Sequence, residues 1–515
     1  MPVRPETSKR RAQRRRAPRA QLCLFVLLVF LGFGHASSTD ASGNAFWRNA
    51  AQDVPIPVDV YQRWEFAAGD LPLSEPVVDG SRLFFGDDSG VLHALDASTG
   101  DWKWSFPTDP RSPIRMMPAV DGRLVYFGTV GGQFYAVSAD SGALLWRAEV
   151  AGWVTGSPTV YGGYVALTCY DGRVLALSCA NGAEVWRYGT GGEFVRAPLV
   201  LSGDSIIYGG MSGNVVSLDA RTGQRRWAQA LPGWISGVVY DGQAIYACAV
   251  GPRTGGIHRL DLLSGEIKWK YLSTSNNYWS SAAIEGERLY AGNLGSLICL
   301  DKNSGRCVWA YPLPPVTVTV SRTKRQFYPS VGTPIAGAWG ATAACSFEIK
   351  TPHYLIHVAP DGSPRARYDL TCVPSTGITA QSGIVYVPST RGIMQAVSGV
   401  TVVLGGKRIA FSDVGPVVLG GSTLCPVRMF AEECGSQVSW DPVERSVTLS
   451  KGTTVVKMAI GSDVVLVNGS TQVIPAPATI IRDRTYVPLR FLASVLLSAG
   501  ISWDQRTLTA TVSMQ

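Results

Sequence analysis

Histidine is scarce in this chain: five occur in 515 residues, at His35, His93, His258, His353 and His357, and none lies beyond residue 400. His353 and His357 share one face of an expected strand, but no third metal ligand accompanies them, so they read as strand histidines with ordinary partners. None of the ten cysteines forms a Cys-x-x-Cys pair, which argues against a structural zinc site. Charge is also sparse, at 16% of positions. The formal net charge of +8 is concentrated in residues 1–20, where eight basic side chains oppose the single Glu6, and the rest of the chain carries about +1. No overall basic field remains to draw phosphate, which removes the main support for nucleic acid as a partner. No glycine-rich phosphate loop opens a helix, and no Gly-x-Ser-x-Gly elbow precedes one. Long stretches of helical periodicity are lacking too.

What is abundant is glycine, 56 residues, and tryptophan, 15. Together with frequent turn signals they indicate an all-β protein. One phrase organises it: Ala94-Leu95-Asp96-Ala97-Ser98-Thr99-Gly100-Asp101-Trp102-Lys103-Trp104. An apolar strand end leads to a turn-capping aspartate, a glycine suited to positive φ, and a second strand with a large aromatic anchor. Anchors recur at Trp64, Trp104, Trp146, Trp186, Trp227, Trp269 and Trp309, spaced 40, 42, 40, 41, 42 and 40 residues apart. From Trp104 onward a glycine stands four residues earlier, at Gly100, Gly142, Gly182, Gly223, Gly265 and Gly305. Each period supplies four short strands, the pattern of a propeller blade. After Trp309 the period stretches. A segment with a proline cluster and the basic residues Arg322, Lys324 and Arg325 precedes a divergent copy in which Tyr368 takes the tryptophan's place. The final copy ends near Val397 without an anchor, and the strand at Trp64 is expected to complete it. The expected fold is therefore an all-β propeller of eight four-stranded blades, with seven as the alternative, over residues 61–397.

The phrase Ala-x-Asp-x-x-Thr-Gly-x-x-x-Trp resembles the repeat of pyrroloquinoline-quinone-type (PQQ-like) propellers, a family that includes quinoprotein alcohol dehydrogenases and the propeller lipoprotein of outer-membrane protein assembly. The resemblance implies that each tryptophan docks between blades in a girdle. It also raises two activities, quinone-dependent dehydrogenation and non-enzymatic scaffolding. A dehydrogenase of this kind would hold PQQ with calcium in the central channel. This chain has no Cys-Cys dipeptide of the kind those enzymes carry, and its acidic candidates Asp87, Asp88, Asp171 and Asp361 all sit in glycine-bearing turns that capping explains. Asp96, Asp219, Asp261 and Asp301 repeat with the fold and read as hairpin geometry.

From residue 400 the period is lost and a new unit repeats internally, with helix starts at Pro426 and Pro488 and strand tryptophans at Trp440 and Trp503. Residues 400–515 are expected to form a small duplicated α+β domain. It resembles the N-terminal stalk domain of copper amine oxidases. Copper itself is not expected, because the module lacks histidine.

Residues 1–36 read as a basic segment, an apolar stretch and small residues ending near Ala36. They indicate a cleaved export signal, with retention as a membrane anchor the alternative. Residues 37–60 form a polar linker. Export makes a disulfide relevant, and Cys299 with Cys307, flanking the turn Asp301 to Gly305 symmetrically, is the favoured pair, against buried free thiols as the alternative. Cys425 and Cys434 are a second conceivable bridge. The basic residues Arg322, Lys324 and Arg325 are expected to contact an anionic surface, against a solvated loop. Trp153, Trp234, Tyr278 and Trp279 face either the channel or the girdle. The sequence thus describes an exported, extracellular or envelope-associated propeller scaffold. It is expected to need no cofactor and to bind an envelope protein or cell-wall polymer, with membrane contact only through its N-terminal segment. A PQQ-dependent dehydrogenase of alcohols or sugars and a cell-wall polysaccharide-binding protein are the alternatives.

Overall fold

Each sequence period folds into one antiparallel sheet. The computed structural model describes residues 61–513, apart from residues 70, 252–254, 273–278, 321–322, 348–352, 375–376, 410, 412–414, 420, 482 and 506. The export segment and linker expected over residues 1–60 lie outside the described residues. In the first sheet Val77–Asp79, Arg82–Gly86, Val91–Asp96 and Trp102–Pro107 pair in sequence order. Five further four-stranded sheets follow with the same order. The seventh has five strands, because Ile335–Gly337 and Ser330–Val331 both pair with Gly340–Ser346. The eighth joins the two ends of the repeat region: Tyr61–Ala67 pairs antiparallel with Ile393–Ser398, from Tyr61 opposite Ser398 to Ala67 opposite Ile393. Among the described residues this region therefore holds eight sheets of four or five strands, besides a two-stranded one, Val316–Val320 with Thr323–Phe327.

Burial alternates differently along the four strands, and the pattern explains why they assemble. The central strands are apolar on both faces, as in Leu83, Phe84 and Phe85, because neighbouring sheets cover both. The outermost strand buries mainly its anchor: in Leu144–Glu149 only Trp146 is fully buried. Small groups let the inner strands approach. A Cβ on Gly237 would lie 2.0 Å from Ser281 Oγ, and Thr155 and Thr159 donate to the carbonyls of Val195 and Leu199 in the next sheet.

The anchors knit one sheet to the next. Trp146 donates its indole N–H to the Cys179 carbonyl at 2.8 Å, and its ring lies over Gly182, where an added Cβ would fall 2.6 Å from the ring. Gly182 has φ +73°, so glycine is required there twice, for conformation and for space. The arrangement recurs: Trp64 lies over Gly100, Trp104 over Gly142, Trp186 over Gly223, Trp227 over Gly265, Trp269 over Gly305 and Trp309 over Gly362. The turn aspartates cap the hairpins that carry these glycines. Asp96 Oδ1 accepts from Ser98 N and Thr99 N, Asp219 Oδ1 from Arg221 N and Thr222 N, and Asp301 Oδ1 from Ser304 N. Hydrogen bonds from Ser304 hold Asp301 below the usual carboxylate range, and the Arg226 guanidinium brings Asp219 down to about 2.

Beyond Ser398 the two halves of the C-terminal module pair through equivalent strands. Ser422–Pro426 lies antiparallel to Arg484–Pro488 with Cys425 opposite Val487, and each strand leads into a helix, Val427–Glu433 or Leu489–Leu497. The Asn468-Gly469 turn closes a tight hairpin with both residues at positive φ. Thr401–Leu404 runs parallel to Thr509–Ser513. The module touches the propeller's closing sheet: Val418 N donates to the Tyr61 hydroxyl at 3.0 Å, and Arg408 donates to the Ser382 carbonyl.

The expected disulfide is corrected. Cys299 and Cys307 are both free. A bulge beyond Cys299 puts Trp309 opposite Cys299 and Leu300 opposite Cys307, so the symmetric spacing in sequence is not symmetric pairing. Cys299 is fully buried and Cys307 exposed. Cys425 and Cys434 are likewise free, both inside the module's core.

Two buried histidines give stability a pH dependence. His258 and His357 are almost wholly enclosed, and burial pushes each from the ordinary 6.5 down to about 4. Between those values the unfolded chain binds protons that the folded chain refuses, so stability is present at neutral pH and is lost as pH falls from 6.5 toward 4. The urea midpoint is expected to fall steadily across that window, and His258→Gln to flatten the slope. A midpoint independent of pH there would contradict the buried neutral state.

Candidate functional site at one end of the propeller

In four of the sheets the segment entering the innermost strand lies beside the turn between the two central strands. Single bridges mark the neighbours: Leu73 with Asp87, Val154 with Cys169, Val195 with Gly210 and Pro374 with Ser389. These loops gather at one end of the propeller.

The first sheet contributes a polar knot. Asp87 accepts from Ser89 N, Ser89 Oγ and Val91 N, and lies 2.9 Å from His93 Nε2. Burial works against this carboxylate, but the hydrogen bonds from His93, Ser89 and Val91 outweigh it and hold its pKa below the usual value. Phe85 stacks on the His93 ring and Phe66 meets it edge-on. Arg115 grips Asp88 with both Nε and Nη2, at 3.0 and 2.9 Å.

The third and fourth sheets present aromatic rings instead. Trp153 and Tyr170 have ring centroids 5.2 Å apart, and Tyr170 and Phe194 4.9 Å apart. Backbone pairing sets the first spacing, since Tyr170 N donates to the Trp153 carbonyl at 2.8 Å; in the fourth sheet Met211 N pairs likewise with the Phe194 carbonyl at 3.0 Å. Trp153 is 41% exposed and Tyr170 55%, with Met211 also exposed. Polar side chains border the rings. Arg173 holds Asp171 at 2.7 Å and donates to the Val150 carbonyl. Glu193 accepts from Ser212 N at 3.2 Å and from the Ser212 hydroxyl, and its carboxylate sits over Gly210, where an added Cβ would have to displace it.

The structure separates the aromatic residues that sequence alone left together. Trp153 faces solvent and Trp234 is half-buried, whereas Trp279 is fully buried with Tyr271 edge-on to its ring. Tyr278 lies outside the described residues. Tyr170 and Phe194 escaped sequence reasoning. The usable signal was a column: the residue ahead of Ile114, Val154, Val195 and Ile235 is Pro113, Trp153, Phe194 and Trp234, aromatic only in the copies beyond the second sheet.

Other expectations fall elsewhere. Arg322 lies outside the described residues, and Lys324 and Arg325 belong to a hairpin, Val316–Val320 with Thr323–Phe327, that forms its own two-stranded sheet. His353 and His357 are buried in the seventh sheet: Thr342 Oγ1 lies 2.9 Å from His357 Nδ1, and Phe347 N donates to His353 Nδ1. Among the described residues no three His, Cys, Asp or Glu side chains come together as a metal site requires. Calcium with a quinone needs about six to eight oxygen ligands, carboxylates prominent among them. The end-loop carboxylates Asp87, Asp88, Asp171 and Glu193 are each bonded to a local partner.

No helix among the described residues is long and apolar enough to cross a membrane. No curated protein matches the chain in sequence. Solved propellers match it in shape. The crystal structure of BamB from Moraxella catarrhalis aligns with TM-score 0.53 and 17% identity over 66% of this chain and 100% of that one. Quinohemoprotein alcohol dehydrogenases from Comamonas testosteroni and Pseudomonas putida HK5 each align with TM-score 0.54 and 12% identity, over 75% and 77% of this chain and 82% and 87% of theirs. At such identities these likenesses establish the fold. The model of the copper amine oxidase N-terminal domain matches residues 403–512, the duplicated module. The model described as outer membrane protein assembly factor BamB matches residues 32–271 and 171–337, together more than half of the chain, and this protein belongs to that propeller family.

Proposed function

We propose that this protein is an exported, non-enzymatic scaffold of the cell envelope, whose propeller end loops bind a macromolecular partner and whose C-terminal module helps hold it in place. The observation that carries the reading is the state of the end-loop carboxylates. Asp88 is held bidentately by Arg115, Asp87 is enclosed with His93, and Asp171 is bonded to Arg173. A catalytic base needs a free lone pair aimed at substrate, and a calcium site needs several oxygens converging; these groups instead stiffen loops. Fold alone does not confer activity, and the same propeller carries both dehydrogenases and BamB among its solved relatives. The basic, then apolar, N-terminal segment supports export.

Purified full-length protein, incubated with pyrroloquinoline quinone and calcium and offered a panel of alcohols and sugars, is expected to reduce no dye beyond the protein-free rate. Sustained turnover abolished by Asp87→Asn would establish the dehydrogenase instead. In cells, fractionation is expected to recover the chain with the envelope, and recovery in the cytoplasm would overturn the localisation.

A further inference from the structure

The geometry points to a glycan-binding surface at the propeller end, in which Trp153, Tyr170 and Phe194 pack against the sugar rings of a neutral polysaccharide. Three exposed or half-exposed rings in contiguous array are unusual on a surface with nothing to bind, because each leaves apolar area in water. Their centroids lie 5.2 and 4.9 Å apart with the ring planes tilted by 50° and 56°, so the rings form an angled aromatic wall that a sugar can pack against. The array is built rather than incidental. Trp153 and Tyr170 belong to the two neighbouring loops of the third sheet, Phe194 to the entering loop of the fourth, and backbone hydrogen bonds fix both pairs of loops.

The bordering groups select among ligands that offer flat faces. The Glu193 carboxylate, next to Phe194, would repel phosphate, and the Arg173 charge is taken up by Asp171, which together disfavour nucleic acid and anionic lipid. The same carboxylates, with Ser212, Asn214 and the Arg173 guanidinium, form a rim able to hydrogen-bond sugar hydroxyls while the rings cover the C–H faces. Neither the Trp153 indole N–H nor the Tyr170 hydroxyl bonds another group among the described residues, so both are available to a ligand. This inference goes beyond the scaffold reading and does not depend on it, since the surface would bind glycan whether or not the propeller also holds a protein.

Isothermal titration of the full chain with hexamers of β-1,4-linked N-acetylglucosamine and of β-1,4-linked glucose tests it. At least one hexamer is expected to bind saturably. Trp153→Ala and Tyr170→Ala should each weaken that binding by about tenfold or more, as loss of a central aromatic contact does. Tyr170→Phe keeps the ring, loses only the hydroxyl, and should bind more tightly than Tyr170→Ala. Trp102→Ala removes another tryptophan, 59% exposed on an outermost strand and remote in the fold, and should leave affinity unchanged. All four variants alter exposed side chains and are expected to melt with the natural protein. Absence of binding to both hexamers overturns the proposal, as does binding that survives Trp153→Ala and Tyr170→Ala intact. A protein partner captured through these same rings without any glycan affinity would also overturn it.

Discussion

Replacing Trp146 with alanine is expected to lower the free energy of unfolding by about 3–5 kcal/mol, the range found when large aromatic side chains are removed from packed cores. The indole is buried between the second and third sheets, donates to the Cys179 carbonyl, and contacts both Tyr126 and Phe134. Its loss leaves a cavity at a sheet boundary and an unpaired carbonyl. The receiving side can be tested separately with Gly182→Ala and Gly162→Ala. Both glycines have positive φ, +73° and +50°, so both substitutions carry the same kind of backbone strain, of order 1 kcal/mol. Only at Gly182 does the added Cβ meet the Trp146 ring; at Gly162 nothing lies within 4 Å. Gly182→Ala should therefore cost clearly more than Gly162→Ala. Urea unfolding followed by circular dichroism measures the series, and equal midpoints for the two glycine variants would mean that the indole yields freely.

Removal of Tyr61–Ala67 is expected to have the second large effect, because that strand closes the ring. It supplies the outermost strand of the eighth sheet, the Trp64 anchor over Gly100, and the Tyr61 hydroxyl that receives Val418 N from the C-terminal module. Without it Ile393–Ser398 becomes an unpaired edge, a known route to aggregation, and the first and eighth sheets lose the contact worth about 3–5 kcal/mol that their anchor provides. A chain lacking residues 1–67 should elute as aggregate in size-exclusion chromatography and lose protection from limited proteolysis. Deleting Val316–Phe327 provides the control: that hairpin forms a two-stranded sheet of its own, so the ring should survive its loss. A monomeric, protease-resistant protein lacking residues 1–67 would show that closure is dispensable.

These experiments probe features with different visibility in the sequence. The anchor and its glycine were legible because they recur: a docking contact repeated at each sheet boundary leaves a period that composition cannot imitate. The closing strand was legible by subtraction, since the last copy lacked an anchor and Trp64 lacked a sheet. The Cys299–Cys307 pairing failed because a one-residue bulge changes which side chains face each other, and a bulge leaves no mark in residue spacing. His353 and His357 do share a face, as their spacing required, yet that face is packed inside the seventh sheet, where Thr342 and Phe347 meet them.

By itself, then, the sequence determined the repeat unit, the anchors, the closure and the duplicated module, because each is set by local rules of turn chemistry and strand alternation applied many times over. The tertiary structure decided which of the non-repeating residues meet. Tyr170 and Phe194 are 24 positions apart and belong to different copies, so no local pattern pairs them. They touch because the third and fourth sheets pack side by side and bring the central turn of one against the entering loop of the next. Whether an aromatic side chain becomes buried core, as Trp279 does, or exposed surface, as Trp153 does, depends on what the neighbouring strands and sheets place over it, and that is a property of the assembled ring.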